Sequence, residues 1–224
     1  MKPTKVEKQA ATKTRWKKIE TILEKEYPAP KIGLKGWKNP LELAISTILS
    51  AQCTDARVNM VTKKLFKKYR KAEDYVRVKP TELEQDIHST GFYKIKTKNI
   101  RGFCEKLLRE HKGKVPETME TLVQMPGVGR KTANIVLANA FGKSEGIAVD
   151  THVFRVSRRL GFARGNNPVK VEKELMDLVE RKKWAVFTDL LIWHGRKICG
   201  ARKPLCSKCP LAEHCPRIGV GKSA

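Results

Sequence analysis

The amino-acid sequence predicts an all-α fold, and three observations carry that reading. Apolar residues recur at helical spacing almost everywhere beyond residue 14, no segment alternates convincingly with the period of a strand, and proline and glycine fall where helices would begin and end. Trp16, Ile19 and Leu23 open the pattern, followed by Leu41, Ile45, Ile48 and Leu49, and then by Val58, Val61, Leu65 and Tyr69. Ile100, Phe103 and Leu107 share one face, as do Ile135, Leu137 and Ala138. Val171, Leu175 and Leu178, then Phe187, Leu190 and Leu191, close the series. Pro40, Pro80, Pro116 and Pro168 sit where a first helical turn tolerates a missing N–H, and Gly91, Gly113, Gly142, Gly161 and Gly195 where a helix can stop. The result is about ten short helices with short connections, a compact bundle rather than a coiled coil, and no internal repeat. The first fourteen residues are polar, Lys-rich and aperiodic, and are expected to form a mobile basic arm.

A chain of 224 residues can bury a substantial core in one domain or in two small ones. Its net charge of +24 points to a polyanionic partner, with solvated helix faces as the alternative. No run of about 18 apolar residues exists to span a bilayer, and the N-terminal stretch lacks the apolar segment of a signal peptide. The expectation is a soluble, intracellular protein. Of six cysteines, four fall within residues 199 to 215, which in a reducing compartment suggests metal ligation rather than disulfides. Cys53 and Cys104 lie in helical patterns and read as packing residues.

The stretch MPGVGRKTAN, residues 125 to 134, is the most informative turn. It is not a nucleotide P-loop, because Arg130 precedes Lys131-Thr132 and Met125 occupies the earlier glycine position; the GKS tripeptides at Gly142 and Gly221 fail likewise. A dinucleotide fingerprint would need glycine in place of Thr132 and a strand before it. What remains is helix, tight turn, helix. Gly127 and Gly129 let the backbone N–H groups of the turn and of the next helix's first residues point outward together, which suits a phosphate. An ordinary helical connection remains open on these residues alone. Such a contact carries no base specificity.

Lys131 follows in the first turn of that helix, beside Arg130. A free lysine has a pKa near 10.4, so only a small fraction is nucleophilic at neutral pH. The helix dipole and the neighbouring cation both favour the neutral amine. A solvated lysine after a turn is the bland alternative. Asp150 closes an apolar run before THVFRV and is expected to cap that helix. A helix over about 130 to 141 advances roughly 18 Å, and the eight residues after it extend up to about 26 Å, so the chain can return to Lys131.

The cysteines at 199, 206, 209 and 215 have the spacing C-x6-C-x2-C-x5-C. Four thiolates so close form a closed metal site, and spacing by itself leaves zinc and an iron-sulfur cluster open.

The segments LVQMPGVGRKTANIVLANAFG and IAVDTHVFRVSRRLG closely resemble the helix-hairpin-helix and trailing aspartate of the endonuclease III family of DNA glycosylases with abasic-site lyase activity. The match runs from PLELAISTILSAQCTD through the final cysteines. The resemblance implies a two-lobed all-α fold: a six-helix lobe over 35–143 carrying the hairpin, and a cluster lobe formed by 15–34 with 144–224. The cleft between the lobes would bring Lys131 near Asp150. It implies Lys131 as the amine attacking C1′ of a damaged deoxynucleotide, with Asp150 deprotonating it or stabilising charge on the sugar. It selects a [4Fe-4S] cluster on Cys199, Cys206, Cys209 and Cys215. It places Gly127, Val128, Gly129 and Arg130 against DNA phosphate. Arg202 and Lys203 lie inside the six-residue cysteine loop, where a bound metal would hold two cations for DNA phosphates, with solvated loop charges as the alternative.

Gln52 and Phe92 match the two residues that fill the space left by a flipped nucleotide. The family often has an aliphatic residue at the second position, so Phe92 is a departure, and a turn residue and a core aromatic are the alternatives. Asp55 reads as a cap of the following helix or a structural partner. His152 stands beside the aspartate, as a DNA contact or as a structural histidine. The implied partner is damaged or abasic duplex DNA, bound by a monomer, with oxidised pyrimidines as substrates, and in a prokaryote the location is the cytoplasm at the nucleoid. Two rivals differ in kind: a monofunctional relative that removes a mismatched base with water, against which Lys131 speaks, and a non-enzymatic DNA-binding or iron-sulfur sensor module.

Overall fold

A computed structural model describes residues 5–28 and 30–224. All regular structure among them is helical. The first helix, α1 (Lys5–Glu26), begins inside the stretch expected to be a mobile arm. From Lys5 onward that stretch is helix, while residues 1–4 lie outside the described residues. Lys, Glu, Gln and Ala favour helix without needing a buried face, and among the described side chains Trp16 is the first buried one. Aperiodic hydropathy there signalled exposure rather than loss of structure.

The chain forms two compact units, one of residues 32–145 and one of residues 1–31 with 146–224. The first carries α2 (Pro40–Leu49), α3 (Asp55–Lys68), α4 (Ala72–Arg77), α5 (Pro80–Ile87), α6 (Tyr93–His111), α7 (Met119–Leu122, a single turn) and α8 (Arg130–Phe141). Helix α2 is its axis: every residue from Glu42 to Leu49 is buried, and α3, α6 and α8 pack against it. Its start is fixed reciprocally. The Asn39 side chain accepts the Glu42 N–H at 2.9 Å, the Glu42 carboxylate accepts the Lys38 N–H at 2.6 Å, and Pro40 sits where its missing N–H costs nothing.

The cap of α3 is Thr54, whose hydroxyl accepts the Arg57 N–H at 3.3 Å; Asp55 is instead the first helical residue. Helix α6 buries Ile100, Phe103, Cys104 and Leu107 against α4 and α5, each large apolar side chain contributing about 2 kcal/mol. Cys53 departs from the helical reading: it lies in the turn after α2, half-buried against the core.

The second unit holds α1, α9 (Thr151–Arg159), α10 (Pro168–Leu178) and α11 (Trp184–Lys197). Trp16 meets Phe187 and Phe162 edge-on, with centroids 4.8 and 5.8 Å apart, beside Ile19, Leu23, Val156 and Leu191 in one core. Asn167 and Pro168 start α10 as Asn39 and Pro40 start α2. Gly195, expected to end a helix, lies inside α11. A Cβ there would stand 3.0 Å from Cβ and Nδ1 of His152, so glycine is required by the close approach of α9 and not by a chain reversal. Beyond α11, two short 3-10 turns lead to a terminus pinned back on the loop by Ala224 N–H to Pro204 C=O and Ser207 N–H to Ala224 C=O, both 2.9 Å.

Candidate functional site

Residues 119–141 form a helical hairpin. Thr118 caps the one-turn α7, and the Val128 N–H closes the turn on the Met125 carbonyl at 3.1 Å. The turn is seated on α6: a Cβ on Gly102 would meet the Pro126 ring at 3.3 Å, and one on Gly127 would meet Asn99 Cβ at 2.8 Å. Gly127 also has φ +74°, so an L side chain is opposed by both backbone and neighbour. Met125 and Val128 point into the core, Val128 only 5 % exposed. Of the residues read as a phosphate contact, Val128 therefore offers only its main chain.

Gly129 is extended, contributes no side-chain cap and has open space around it. The leading N–H groups of α8 have no intrahelical acceptor. Arg130 and Lys131 follow, both with exposed side chains. The segment thus presents amides, a positive helix end and two cations on one rigid turn.

Two more loops of this unit carry residues singled out from sequence. Gln52 and Phe92 have φ of 52° and 49°, the left-handed region, and both are exposed. Each costs about 1–2 kcal/mol for a residue with a Cβ, and such strain clusters where chemistry or binding occurs. Phe92 is 62 % exposed and not a core aromatic. Ile95, 60 % exposed, lies one turn further along α6.

In the other unit Asp150 caps α9. Its Oδ1 accepts the N–H groups of His152 and Val153, both at 2.8 Å, and among the described residues Oδ2 accepts no hydrogen bond. His152 is half-buried, with Nδ1 3.1 Å from the Arg155 guanidinium, and burial holds its pKa below the ordinary imidazole value. Arg155 also donates to the carbonyls of Gly195 at 3.0 Å and Cys199 at 3.1 Å. The start of α9 is thereby tied to the end of α11 and the first cysteine. Lys131 and Asp150 belong to different units.

Cys199, Cys206, Cys209 and Cys215 line one small cavity with an otherwise largely apolar wall. Its polar features face sulfur. The buried Arg159 donates to Cys199 Sγ at 3.3 Å and to the carbonyls of Gly200 and Ala201 at 2.7 and 2.8 Å. His194, itself buried, places Nε2 3.6 Å from Cys209 Sγ, while its Nδ1 meets the Tyr27 hydroxyl at 3.3 Å. Burial drives the His194 pKa down to about 4. Burial, and then the field of the neighbouring cysteines, raises the thiols of Cys209 and Cys215. Four cysteine sulfurs lining one cavity are a donor set that fits a bound metal group.

Among the described residues no three His, Cys, Asp or Glu side chains converge closely enough to hold a single metal ion. Arg202 and Lys203 are exposed in the loop between the first two cysteines.

Sequence reasoning missed Arg155, Arg159 and His194. Arg159 and His194 extend the apolar stripes of their helices, at Val156 plus three and Leu190 plus four. A cation on a buried stripe was the available signal.

The HhH-GPD superfamily base excision DNA repair protein model matches residues 45–181. Endonuclease III of Synechocystis sp. is 48% identical over 209 residues, covering 93% of this chain and 95% of the relative. That of Bacillus subtilis is 51% identical over 178 residues, covering 79% and 81%. Among solved structures, a trapped endonuclease III–DNA covalent intermediate aligns with TM-score 0.87 at 45% identity, covering 92% of this chain and 96% of that one. The fold and hairpin are those of a helix-hairpin-helix base excision DNA repair protein. Within that class, the chain belongs to the endonuclease III family.

Proposed function

We propose that the protein removes oxidised pyrimidines from duplex DNA and cuts the strand 3′ to the resulting abasic site, with Lys131 as the amine nucleophile and Asp150 as its carboxylate partner. As a member of the endonuclease III family it is a base excision repair enzyme, a DNA glycosylase with abasic-site lyase activity acting on duplex DNA. The observation that carries the residue assignment is the exposed Lys131 in the first turn of α8, directly after a rigid, uncapped glycine turn. A relative captured as a covalent intermediate on DNA supports a protein nucleophile.

The steps follow from the chemistry of an amine and a sugar. Neutral Nζ attacks C1′ as the C1′–N bond breaks, and the base leaves with the bonding pair and takes up a proton. Ring opening, with loss of a proton from nitrogen, gives a Schiff base between Nζ and C1′. Removal of a C2′ proton then forms the C2′–C3′ double bond and expels the 3′ phosphate, after which water releases the lysine. Asp150, through Oδ2, takes the proton from Lys131 or stabilises positive charge growing on the sugar.

C1′ is shielded in a stacked duplex, so the nucleotide is extruded, with Gln52 and Phe92 entering the space it leaves. The turn from Gly127 to Arg130 holds phosphate through main-chain amides and a guanidinium, and His152, beside Asp150 in the sequence, is a further DNA contact. Units 32–145 and 1–31 with 146–224 serve as the hairpin lobe and the cluster lobe of a monomer.

Cys199, Cys206, Cys209 and Cys215 would hold a [4Fe-4S] cluster, which supplies a fixed inorganic brace for the loop carrying Arg202 and Lys203. Those two cations then meet DNA phosphates at set positions.

Incision of a thymine-glycol duplex tests the reading. The wild-type protein should release the base and leave an unsaturated aldehyde at the nick, while Lys131→Ala should do neither. Base release that survives in Lys131→Ala, with only nicking lost, would make water the nucleophile.

A further inference from the structure

Among the described residues, Lys96 is the most deeply buried cation outside the site described above. It lies on α6 with 2 % of its surface exposed. Its ammonium donates to the Thr90 carbonyl at 2.8 Å. An ammonium has three donors, and among the described residues Thr90 is the one hydrogen-bond acceptor it meets. The other group whose field acts on it is Cys53, while desolvation lowers its pKa. Burying a cation with so little compensation is costly, and its placement indicates what the cost secures.

Thr90 ends the 3-10 turn His88–Thr90, two residues before Phe92, and its hydroxyl donates to the Ile87 carbonyl at 2.8 Å. The Lys96 N–H in turn donates to the Phe92 carbonyl at 3.0 Å. Main chain and side chain of Lys96 therefore clamp both sides of the Gly91-Phe92 pair, whose φ values are +69° and +49°. One buried side chain thus sits at the root of the strained loop that exposes Phe92.

We infer that Lys96 is a positioning residue for nucleotide extrusion: its buried ammonium holds the Thr90 carbonyl, so that Phe92 meets the duplex already in its left-handed conformation. This rests on the reading that Phe92 enters the duplex. Lys96 touches neither substrate nor Lys131 in this scheme. Without it the loop would relax toward ordinary backbone angles, and the ordering would have to be supplied during extrusion.

The test uses Lys96→Met, which keeps an unbranched buried chain and removes the donors. Two substrates are compared: a thymine-glycol duplex with 2-aminopurine opposite the lesion, and a single strand with a preformed abasic site, which needs no extrusion. The variant should lose about 10- to 100-fold in base release from the duplex, together with the 2-aminopurine fluorescence rise. The KM for duplex should change little, and cutting of the single strand should continue near the wild-type rate.

Equal loss on both substrates, or no loss on either, would overturn the inference. If Lys96→Met does not fold, Lys96→Leu, which likewise removes the donors, is read in the same two assays by the same criteria, and Lys96→Gln, which keeps an N–H for Thr90, should retain most of the duplex activity. Phe92→Ala runs alongside. If it does not alter the fluorescence of the duplex, the insertion reading fails by itself, whatever Lys96 does.

Discussion

The guanidinium of Arg159 donates to Cys199 Sγ at 3.3 Å while it also holds the carbonyls of Gly200 and Ala201. One buried cation from α9 thus fixes the first cysteine and the root of its loop. Arg159→Met should fill the volume but orphan those carbonyls, costing on the order of 3 kcal/mol. The expected result is a lower Tm and faster bleaching in air of a yellow-brown protein with broad violet-blue absorption. A colourless wild-type protein with stoichiometric zinc would contradict the cluster assignment.

Gly127 and Gly129 separate folding from binding. Gly127→Ala meets Asn99 at 2.8 Å with φ +74° and should cost roughly 2–3 kcal/mol, visible as a lower denaturation midpoint. Gly129→Ala has open space and an extended backbone. Its stability should stay near wild type while affinity falls equally for lesion-containing and intact duplex, since the new methyl projects where a phosphate would approach the amides. Weaker lesion discrimination at unchanged affinity for intact DNA would remove the turn from the phosphate footprint.

Asp150 has two roles that a pair of substitutions can part. Asp150→Asn keeps an oxygen for the His152 and Val153 N–H groups, whereas Asp150→Ala leaves both without it, costing about 1 kcal/mol. Both variants should lose base release by about 100-fold or more, and only the alanine variant should show a clear fall in Tm. An Asp150→Asn enzyme of full activity would reduce the carboxylate to a helix cap.

Arg202 and Lys203 are exposed between Cys199 and Cys206. Replacing either by Ala should weaken duplex binding independently of sequence and lower the slope of log affinity against log salt by about 1. A slope equal to wild type would place these cations away from DNA.

Helix starts and buried stripes were legible because each depends on a few neighbouring residues. Asn39-Pro40 and Asn167-Pro168 name their own helices, and the Ile100, Phe103, Leu107 stripe names a core face. What escaped depends on distant partners. Gly195 looks like a stop, yet it is required by His152, more than forty residues away. Residues 5–14 have no apolar stripe, so a helix of good helix formers looked like an arm. The cysteine spacing was plain, but Arg159 and His194 face the same cavity only because α9 and α11 pack together. Lys96 was the nearest miss: it stands four residues before Ile100, on the buried stripe itself.

The central claim is a covalent bond between Lys131 Nζ and C1′, and borohydride trapping tests it most directly. With thymine-glycol duplex and borohydride, peptide mass analysis should find reduced DNA remnant on Lys131 in the wild-type protein and no adduct in Lys131→Ala. An adduct at another amine, or efficient base release with none at all, would contradict it.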